Sequence, residues 1–208
     1  MQHLSTTHQQ ISARTIAHYA ERLESFWQAT RDHDVAQNIH ALLSALPQGR
    51  SLSILDFGCG PGRDLRTFKE LGHQPTGLDG CAGFCQMARA YAQCPVWRQD
   101  FLELALPPSS FDGIFANASL FHVPSTHLLK VLTELHTALK PQGVLFTSNP
   151  RGSSEGWQGE RYGHYMEWEV YQPLLVQAGF EPISHYYRPP DKPRAEQNWL
   201  AVVSRKRG

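Results

Sequence analysis

ILDFGCGPGRDL, at residues 54–65, is the most informative segment of this chain. An apolar run ends in Asp56, glycines follow at positions 58, 60 and 62, and a helix is predicted after them. Glycine adopts positive φ at little steric cost and lets backbone amides approach a ligand closely. Because a helix N-terminus also favours a negatively charged group, the stretch predicts a strand, a ligand-binding turn and a helix.

Strands and helices alternate along the chain beyond this turn. The predicted strands are residues 51–57, 74–79, 94–100, 111–117 and 143–149, and the predicted helices are residues 63–71, 82–92 and 125–140. This alternation predicts an α/β sandwich, a mostly parallel sheet with helices on both faces. A helix near residues 167–178 and two strand-like runs, 180–188 and 198–206, predict an antiparallel hairpin at the C-terminus.

The N-terminal region predicts helices that lie in front of the sheet. Apolar side chains recur at helical spacing through residues 12–31, which predicts one amphipathic helix, and a second helix follows at residues 35–46. Residues 149–166 have no clean period, and long loops of this kind are often lids or binding elements. We predict one domain, residues 1–208, with an N-terminal helical cap (1–48), a sheet region (49–208) and a flap (149–171).

The composition argues against several classes of protein. The 208 residues include 19 Lys and Arg and 19 Asp and Glu, and this balance argues against a nucleic-acid partner, because phosphate binding requires a basic excess. No apolar run approaches the length of a membrane span. Residues 1–12 lack the charged start and apolar stretch of a signal peptide, so we predict a cytoplasmic protein.

The four cysteines predict no metal site. Cys59, Cys81, Cys85 and Cys94 do not fall into the paired spacing of a zinc site. Reduced thiols, some of them buried as small apolar side chains, are the better interpretation.

Three kinds of ligand compete for the glycine turn. A Walker loop is excluded because no Gly-Lys-Ser/Thr follows. A dinucleotide-binding turn has the pattern G-x-G-x-x-G, but Arg63 occupies the position of the third glycine. The turn is better suited to a zwitterionic amino-acid group, whose ammonium would meet backbone carbonyls and, directly or through water, Asp56.

LDFGCGPGRD resembles the glycine motif of the class I S-adenosylmethionine-dependent methyltransferases. The resemblance covers about residues 50–205 and implies a seven-stranded Rossmann-like sheet in a three-layer sandwich, with S-adenosylmethionine as cofactor. It implies that Asp79, at the end of the second strand, accepts the ribose hydroxyls, and that Asp100 and Phe101 contact adenine. Asn117 and Ala118 match the segment beneath the methionine portion.

The resemblance assigns further residues to the cofactor. In the turn and after the second strand these are Asp56, Gly58, Cys59, Gly60, Gly62, Arg63 and Gly80. On the front helices, Tyr19, Thr30 and Arg31 are expected to close over the methionine end. Arg31 is a candidate for its carboxylate, although an exposed arginine at a helix end is an equally good interpretation.

The residues that act on the substrate are less well marked. His122 follows the fourth strand and is a candidate general base near neutral pH, with packing or cofactor contact as the alternative. Trp157, Tyr162 and Tyr165 of the flap are candidate substrate contacts, with a packed flap as the alternative.

These observations predict a methyltransferase acting on an O, N or S atom of a small molecule, as a monomer or homodimer. A protein substrate remains open. The alternatives are a non-catalytic S-adenosylmethionine-binding regulatory protein, a nicotinamide-dependent oxidoreductase, which Arg63 argues against, and an enzyme with a different use of the cofactor, such as aminopropyl transfer.

Overall fold

The computed structural model describes the backbone of residues 6–207 and the side chains of residues 8–207, so residues 1–5 of the predicted cap and Gly208 lie outside the described residues. The strands are β1 (Ser53–Phe57), β2 (Gln74–Asp79), β3 (Val96–Arg98), β4 (Phe111–Asn117), β5 (Leu139–Pro150), β6 (Glu155–Gln158), β7 (Arg161–His164), β8 (Phe180–Arg188) and β9 (Trp199–Lys206). Seven of the nine strands in residues 6–207 form one sheet in the order β3-β2-β1-β4-β5-β9-β8.

The helices cover both faces of this sheet. They are α1 (Thr6–Ala20), α2 (Leu23–Thr30), α3 (Ala36–Ser44), α4 (Arg63–Glu70), α5 (Ala82–Ala92), α6 (Ser125–Ala138) and α7 (Trp168–Gln177). Strands β3, β2, β1, β4 and β5 run parallel, β9 runs antiparallel to β5, and β8 pairs antiparallel with β9 at the edge of the sheet. The predicted sandwich with a C-terminal antiparallel hairpin is confirmed. No helix in residues 6–207 is long and apolar enough to cross a membrane.

Apolar side chains alternate between the two faces of the central strands and so build two main core layers. Leu55 and Leu145 face a layer that α6 and α7 complete. Ile54 and Phe146 face the opposite layer, against Leu42 of α3. Side chains of a strand point alternately to opposite faces, and a sheet buried on both sides therefore needs the nearly continuous apolar runs that this sequence contains.

Two predicted segments differ from the structure. The single helix predicted over residues 12–31 is two helices, because the chain turns at Glu21 and Arg22 between α1 and α2. The turn brings Leu23 against Gly83 of α5, a contact that the helical periodicity does not report.

The flap contains regular structure that its irregular pattern did not predict. Strands β6 and β7 pair there as a separate antiparallel hairpin, with Trp157 opposite Tyr162. Gly159 has a φ of +65° in the tight connection between the two strands. Two strands this short carry too few residues to show a clear alternation in sequence.

We expect Gly62→Ala to destabilise the fold by about 3 kcal/mol, because it combines left-handed strain with overpacking. Gly62 has a φ of +96°, and an added Cβ would lie 2.8 Å from the Ala88 Cα in α5. The matched control is Gly72→Ala, because Gly72 has a φ of +85° with no heavy atom within 4 Å of an added Cβ. Gly72→Ala introduces only the backbone strain, which costs about 1 kcal/mol. Urea unfolding measures the free energy of unfolding of both variants, and equal losses of stability would contradict the packing argument.

Candidate functional site

The glycine turn is anchored to the neighbouring strand. The Gly58 and Cys59 amides both donate to the Leu78 carbonyl, at 2.8 and 3.0 Å. Gly58 has a φ of +79°, and a Cβ there would lie 2.3 Å from the Cβ of Ser119. The turn therefore requires glycine at this position because the chain after β4 passes directly over it.

Asp79 joins two turns at the carboxyl ends of β1 and β2. Its Oδ2 accepts the Gly60 amide at 2.9 Å, and its Oδ1 accepts the Cys81 amide at 2.8 Å. Burial raises the pKa of this carboxyl group to about 6, and the backbone amides oppose the rise. The carboxylate has further lone pairs available to hydroxyl donors.

The first cavity opens at this edge of the sheet. Asp79 and Gly80 line it together with Asp100 and Phe101, which follow β3. The Phe101 ring stacks on Phe57, with ring centroids 4.3 Å apart. A carboxylate beside an apolar wall suits a ligand that has both a polyol and a flat ring. The resemblance assigned these residues to ribose and adenine.

Helix α1 covers the first cavity. Ser12 Oγ donates to Asp100 Oδ2 at 2.6 Å, and Ile16 packs against Gly80. Thr15 Oγ1 accepts the Tyr162 amide at 3.0 Å, which ties the flap to the same helix. These contacts make the front helix a wall of the site.

Tyr19 and His122 meet across the first cavity. His122 Nδ1 lies 2.6 Å from the Tyr162 carbonyl oxygen, which only accepts, so Nδ1 carries the ring proton. Nε2, at 2.8 Å, accepts the Tyr19 hydroxyl proton. Burial is the main cause that lowers the pKa of His122 to about 4, and the charge of Arg161, which donates to the Tyr19 oxygen at 3.3 Å, contributes to that shift. His122 is therefore a neutral ring with both nitrogens occupied, an arrangement that favours a positioning role over that of a general base.

A second cavity of about 680 Å³ lies beside the first. The two share Phe26, Gly58, Gly60 and Ala118 as walls. Ala118 has a φ of +59°, a conformation that residues other than glycine rarely adopt. Strain of this kind concentrates at functional sites, and here it lies where the two cavities join.

Side-chain amides form the polar floor of the second cavity. Tyr186 donates to Asn38 Oδ1 at 2.8 Å, and Asn38 Nδ2 donates to Asn117 Oδ1 at 2.9 Å. Asn117 Nδ2 donates in turn to Asp64 Oδ2 at 3.4 Å, and Asp64 is paired with Arg63. This chain fixes the orientation of both asparagine amides, because every member has a defined partner.

Asp56 lies behind the glycine turn and lines neither cavity. Its Oδ2 is buried and has no hydrogen-bond partner among the described residues. Burial raises the pKa of this carboxyl group well above its usual range, and the neighbouring Asp64 carboxylate adds to the effect. A buried oxygen without a partner favours a cation or donor near the turn.

The structure brings most of the predicted cofactor residues to the two cavities. The first is lined by Tyr19, Gly58, Gly60, Asp79, Gly80, Asp100, Phe101, Ala118 and His122, and the second by Thr30, Cys59, Arg63, Asn117 and Ala118. Gly62 lies in the packing between α4 and α5. The Cys59 thiol donates to the Gly60 carbonyl inside a small apolar cluster with Leu65.

Besides Asp56 and Gly62, four predicted contacts line neither cavity. Arg31 pairs with Asp32 at 3.3 Å on the surface and lines neither cavity. Trp157, Tyr162 and Tyr165 also lie outside both linings. Trp157 is 41% exposed, and the guanidinium of Arg14 in α1 lies over its ring. The Arg14 Cζ is 4.2 Å from the ring centroid. The aromatic flap thus packs on the front helix, which corresponds to the alternative interpretation of these residues.

Several wall residues were missed by the sequence analysis. Ser12, Ile16 and Tyr19 lie at positions i, i+4 and i+7, which fall on the same face of a helix. This spacing could have shown that Ser12 and Ile16 face the same side as Tyr19. Asn38 is a polar residue on the apolar face of α3, which is a detectable signal. Arg188 and Trp199 come from the C-terminal hairpin, and no local pattern places them at the cavity.

These groups fit S-adenosylmethionine. The carboxylate of Asp79 suits two hydroxyls, and the wall at Asp100 and Phe101 suits a purine. Asp56 lines neither cavity, so an ammonium at the glycine turn would reach its unpartnered oxygen only through water. The fit rests on the buried Asp79 carboxylate and on the glycines at 58 and 60, which line both cavities.

Comparisons with known proteins agree with this geometry. Residues 54–143 match the family model described as "Methyltransferase domain". Trans-aconitate 2-methyltransferase of Azoarcus sp. is 34% identical over 116 residues, 55% of this chain and 45% of that protein. Sterol 24-C-methyltransferase of Candida albicans is 30% identical over 131 residues, 58% of this chain and 32% of that protein. The matches thus span less than half the length of these relatives.

A solved structure extends the similarity of fold to nearly the whole chain. It is that of Burkholderia thailandensis 1,6-didemethyltoxoflavin-N1-methyltransferase with bound 1,6-didemethyltoxoflavin and S-adenosylhomocysteine. The TM-score is 0.77 at 22% identity, covering 97% of this chain and 91% of that chain. The residues matched to the methyltransferase domain, 54–143, begin just before the glycine turn, and the fold of this chain is that of S-adenosylmethionine-dependent methyltransferases.

Proposed function

We propose that this protein transfers a methyl group from S-adenosylmethionine to an O, N or S atom of a small molecule. One observation carries the proposal. The buried Asp79 carboxylate ties the glycine turn to the end of β2 and lines a cavity together with Asp100 and Phe101. This arrangement provides a ribose acceptor, a purine wall and a cradle for an amino-acid group in one crevice, at the strand ends where open α/β sheets bind ligands.

The residues of this chain would bind and orient the reactants. Asp79 would hold the ribose hydroxyls, Asp100 and Phe101 the adenine, and the turn at Gly58 and Gly60 the methionine end. The bound cofactor supplies a methyl group on a sulfonium, which is both electrophile and leaving group. Helix α1 excludes water from the reacting centre, and its contact with Asp100 fixes that cover.

A small-molecule acceptor is supported by the second cavity and by the relatives. The cavity has the volume of a metabolite site. The relatives are named for trans-aconitate, a sterol and 1,6-didemethyltoxoflavin. A single domain, a cytoplasmic location, a monomeric or homodimeric state and the absence of a nucleic-acid partner remain predictions from the sequence.

Calorimetric titration with S-adenosylmethionine, S-adenosylhomocysteine and NADH tests the cofactor. We expect micromolar binding of the two sulfur ligands and none of NADH. Release of S-adenosylhomocysteine in the presence of amines, thiols, phenols and carboxylic acids then tests turnover. Cofactor binding without turnover on any acceptor would favour the non-catalytic alternative, and binding of NADH alone would overturn the proposal.

Asp79→Asn is expected to weaken S-adenosylhomocysteine binding by about 2–4 kcal/mol at pH 8, because a charged acceptor of two hydroxyls is lost. Since the pKa of Asp79 is about 6, the wild-type carboxylate is itself protonated at pH 5. Wild-type affinity should therefore fall as the pH drops through 6, and the gap between the two proteins should narrow.

Calorimetry at pH 8 and pH 5 measures this gap. Asp191→Asn, in an exposed loop, is the control and should bind as wild type at both pH values. An Asp79→Asn variant that binds within twofold of wild type at pH 8 would remove the ribose assignment.

His122 should stabilise the protein in a pH-dependent way. Its pKa is about 4 in the folded protein, below the value near 6.5 of an unfolded histidine. Its contribution to stability is therefore complete above pH 6.5 and is lost as the pH falls from 6.5 toward 4. We expect wild type to lose more unfolding free energy than His122→Gln between pH 7 and pH 4.5.

Urea unfolding at several pH values measures this difference. His40→Gln, an exposed position on α3, is the control and should follow wild type. Parallel losses in wild type and His122→Gln would show that the imidazole already titrates normally, and would restore His122 as a candidate base.

A further inference from the structure

Arg188 places a positive charge on the wall of the second cavity. It is the last residue of β8, it pairs with Trp199 of β9, and both side chains line the cavity. Its Nη2 donates to the Asp34 backbone carbonyl at 3.0 Å. Among the described residues no carboxylate oxygen lies within 4 Å of this guanidinium, which therefore keeps donors for a ligand.

The other charged groups of this cavity are engaged or lie at its rim. Arg63 is held by both oxygens of Asp64, at 2.6 and 3.0 Å, and by the Thr30 carbonyl. Asp34 Oδ1 accepts the Ala36 amide at the start of α3, and both Asp34 and His33 are exposed. Among the described residues that line this cavity, Arg63 and Arg188 are partly buried cations. Arg63 is paired with a carboxylate, and Arg188 is not.

The rest of the cavity wall suits an organic molecule. Trp27, Val35 and Trp199 supply apolar surface, and the amides of Asn38 and Asn117 supply a fixed polar floor. A planar guanidinium donates two parallel hydrogen bonds to a carboxylate. Apolar walls around the pair reduce the competition from water for these bonds. A neutral amide at the same place offers only one acceptor oxygen and no charge.

We propose that the second cavity holds the methyl acceptor and that Arg188 binds a carboxylate on that acceptor. The inference rests on the proposed function, because it takes the first cavity and the shared wall at Gly58, Gly60 and Ala118 as the cofactor site. It therefore assigns to the acceptor four residues that line only the second cavity and that the resemblance gave to the cofactor, namely Thr30, Cys59, Arg63 and Asn117. The acceptor is then a small organic acid with an apolar body. Its carboxylate lies at β8, and its reacting atom lies toward Ala118, where the two cavities join.

The test is calorimetry on the protein saturated with S-adenosylhomocysteine, using matched probes. The probes are cinnamate with cinnamamide, and succinate with succinamide. We expect at least one acid to bind tenfold or more tightly than its amide. Arg188→Gln should abolish that preference, and Arg188→Lys should retain part of it.

Arg205→Gln is the matched control, because Arg205 also donates to a backbone carbonyl, that of Ala45 at 3.1 Å, and lines neither cavity. It should keep the preference for the acid. Acids that bind no better than their amides, or a preference that survives in Arg188→Gln, would overturn the assignment.

S-adenosylhomocysteine binding by the variants separates the two proposals. If Arg188→Gln lowers that affinity and Arg205→Gln does not, the guanidinium serves the carboxylate of the cofactor and the acceptor assignment is wrong. If wild type itself fails to bind S-adenosylhomocysteine, the proposed function fails first. If Arg188→Gln binds S-adenosylhomocysteine as tightly as wild type but has lost the preference for the acid, both proposals are supported.

Discussion

The Asp79 carboxylate, held between the amides of Gly60 and Cys81, is the interaction around which the site is organised. It fixes the glycine turn relative to the end of β2, so that two loops from different strands form one surface. The charge is buried, and burial raises its pKa, yet backbone donors oppose this by stabilising the ionised form. A preorganised, partly desolvated acceptor of this kind binds hydroxyl donors without first having to be ordered.

The cover over this surface comes from regions far apart in sequence. Helix α1 contacts Asp100 through Ser12 and the flap through Thr15, while Tyr19 reaches His122 behind β4. The neutral imidazole has a structural use in this arrangement. Because it accepts the phenol proton and donates its own to the Tyr162 carbonyl, it holds the front helix without placing a second positive charge beside an expected sulfonium.

The two cavities differ in how their polar groups are satisfied. The first presents carboxylates whose remaining lone pairs face the cavity, whereas the second has an amide chain that is already internally paired. A chain of paired amides specifies shape more than affinity, because one donor and one acceptor site of each amide are already engaged. Charge recognition in the second cavity is therefore left to the guanidinium of Arg188.

Local sequence patterns were enough to predict the strand–turn–helix at residues 54–65, the alternation that follows it and the acids at the strand ends. These features are local: positive φ requires glycine, and periods of 2 and 3.6 residues distinguish strands from helices. These local patterns left open whether His122 and the aromatic side chains of the flap face a ligand. The bend between α1 and α2 was missed because the contact that accompanies it, of Leu23 with Gly83, joins residues sixty positions apart along the chain.

Contacts between distant parts of the chain determine which cations reach the site. Arg31 lies on a helix expected to close over the ligand, but it turns to Asp32 at the surface. Arg188 lies in a hairpin with no recognisable motif, and the register of β8 against β9 brings it to the second cavity beside Trp199. The physical reason is that antiparallel register and helix packing depend on contacts between distant residues, which local sequence patterns do not encode.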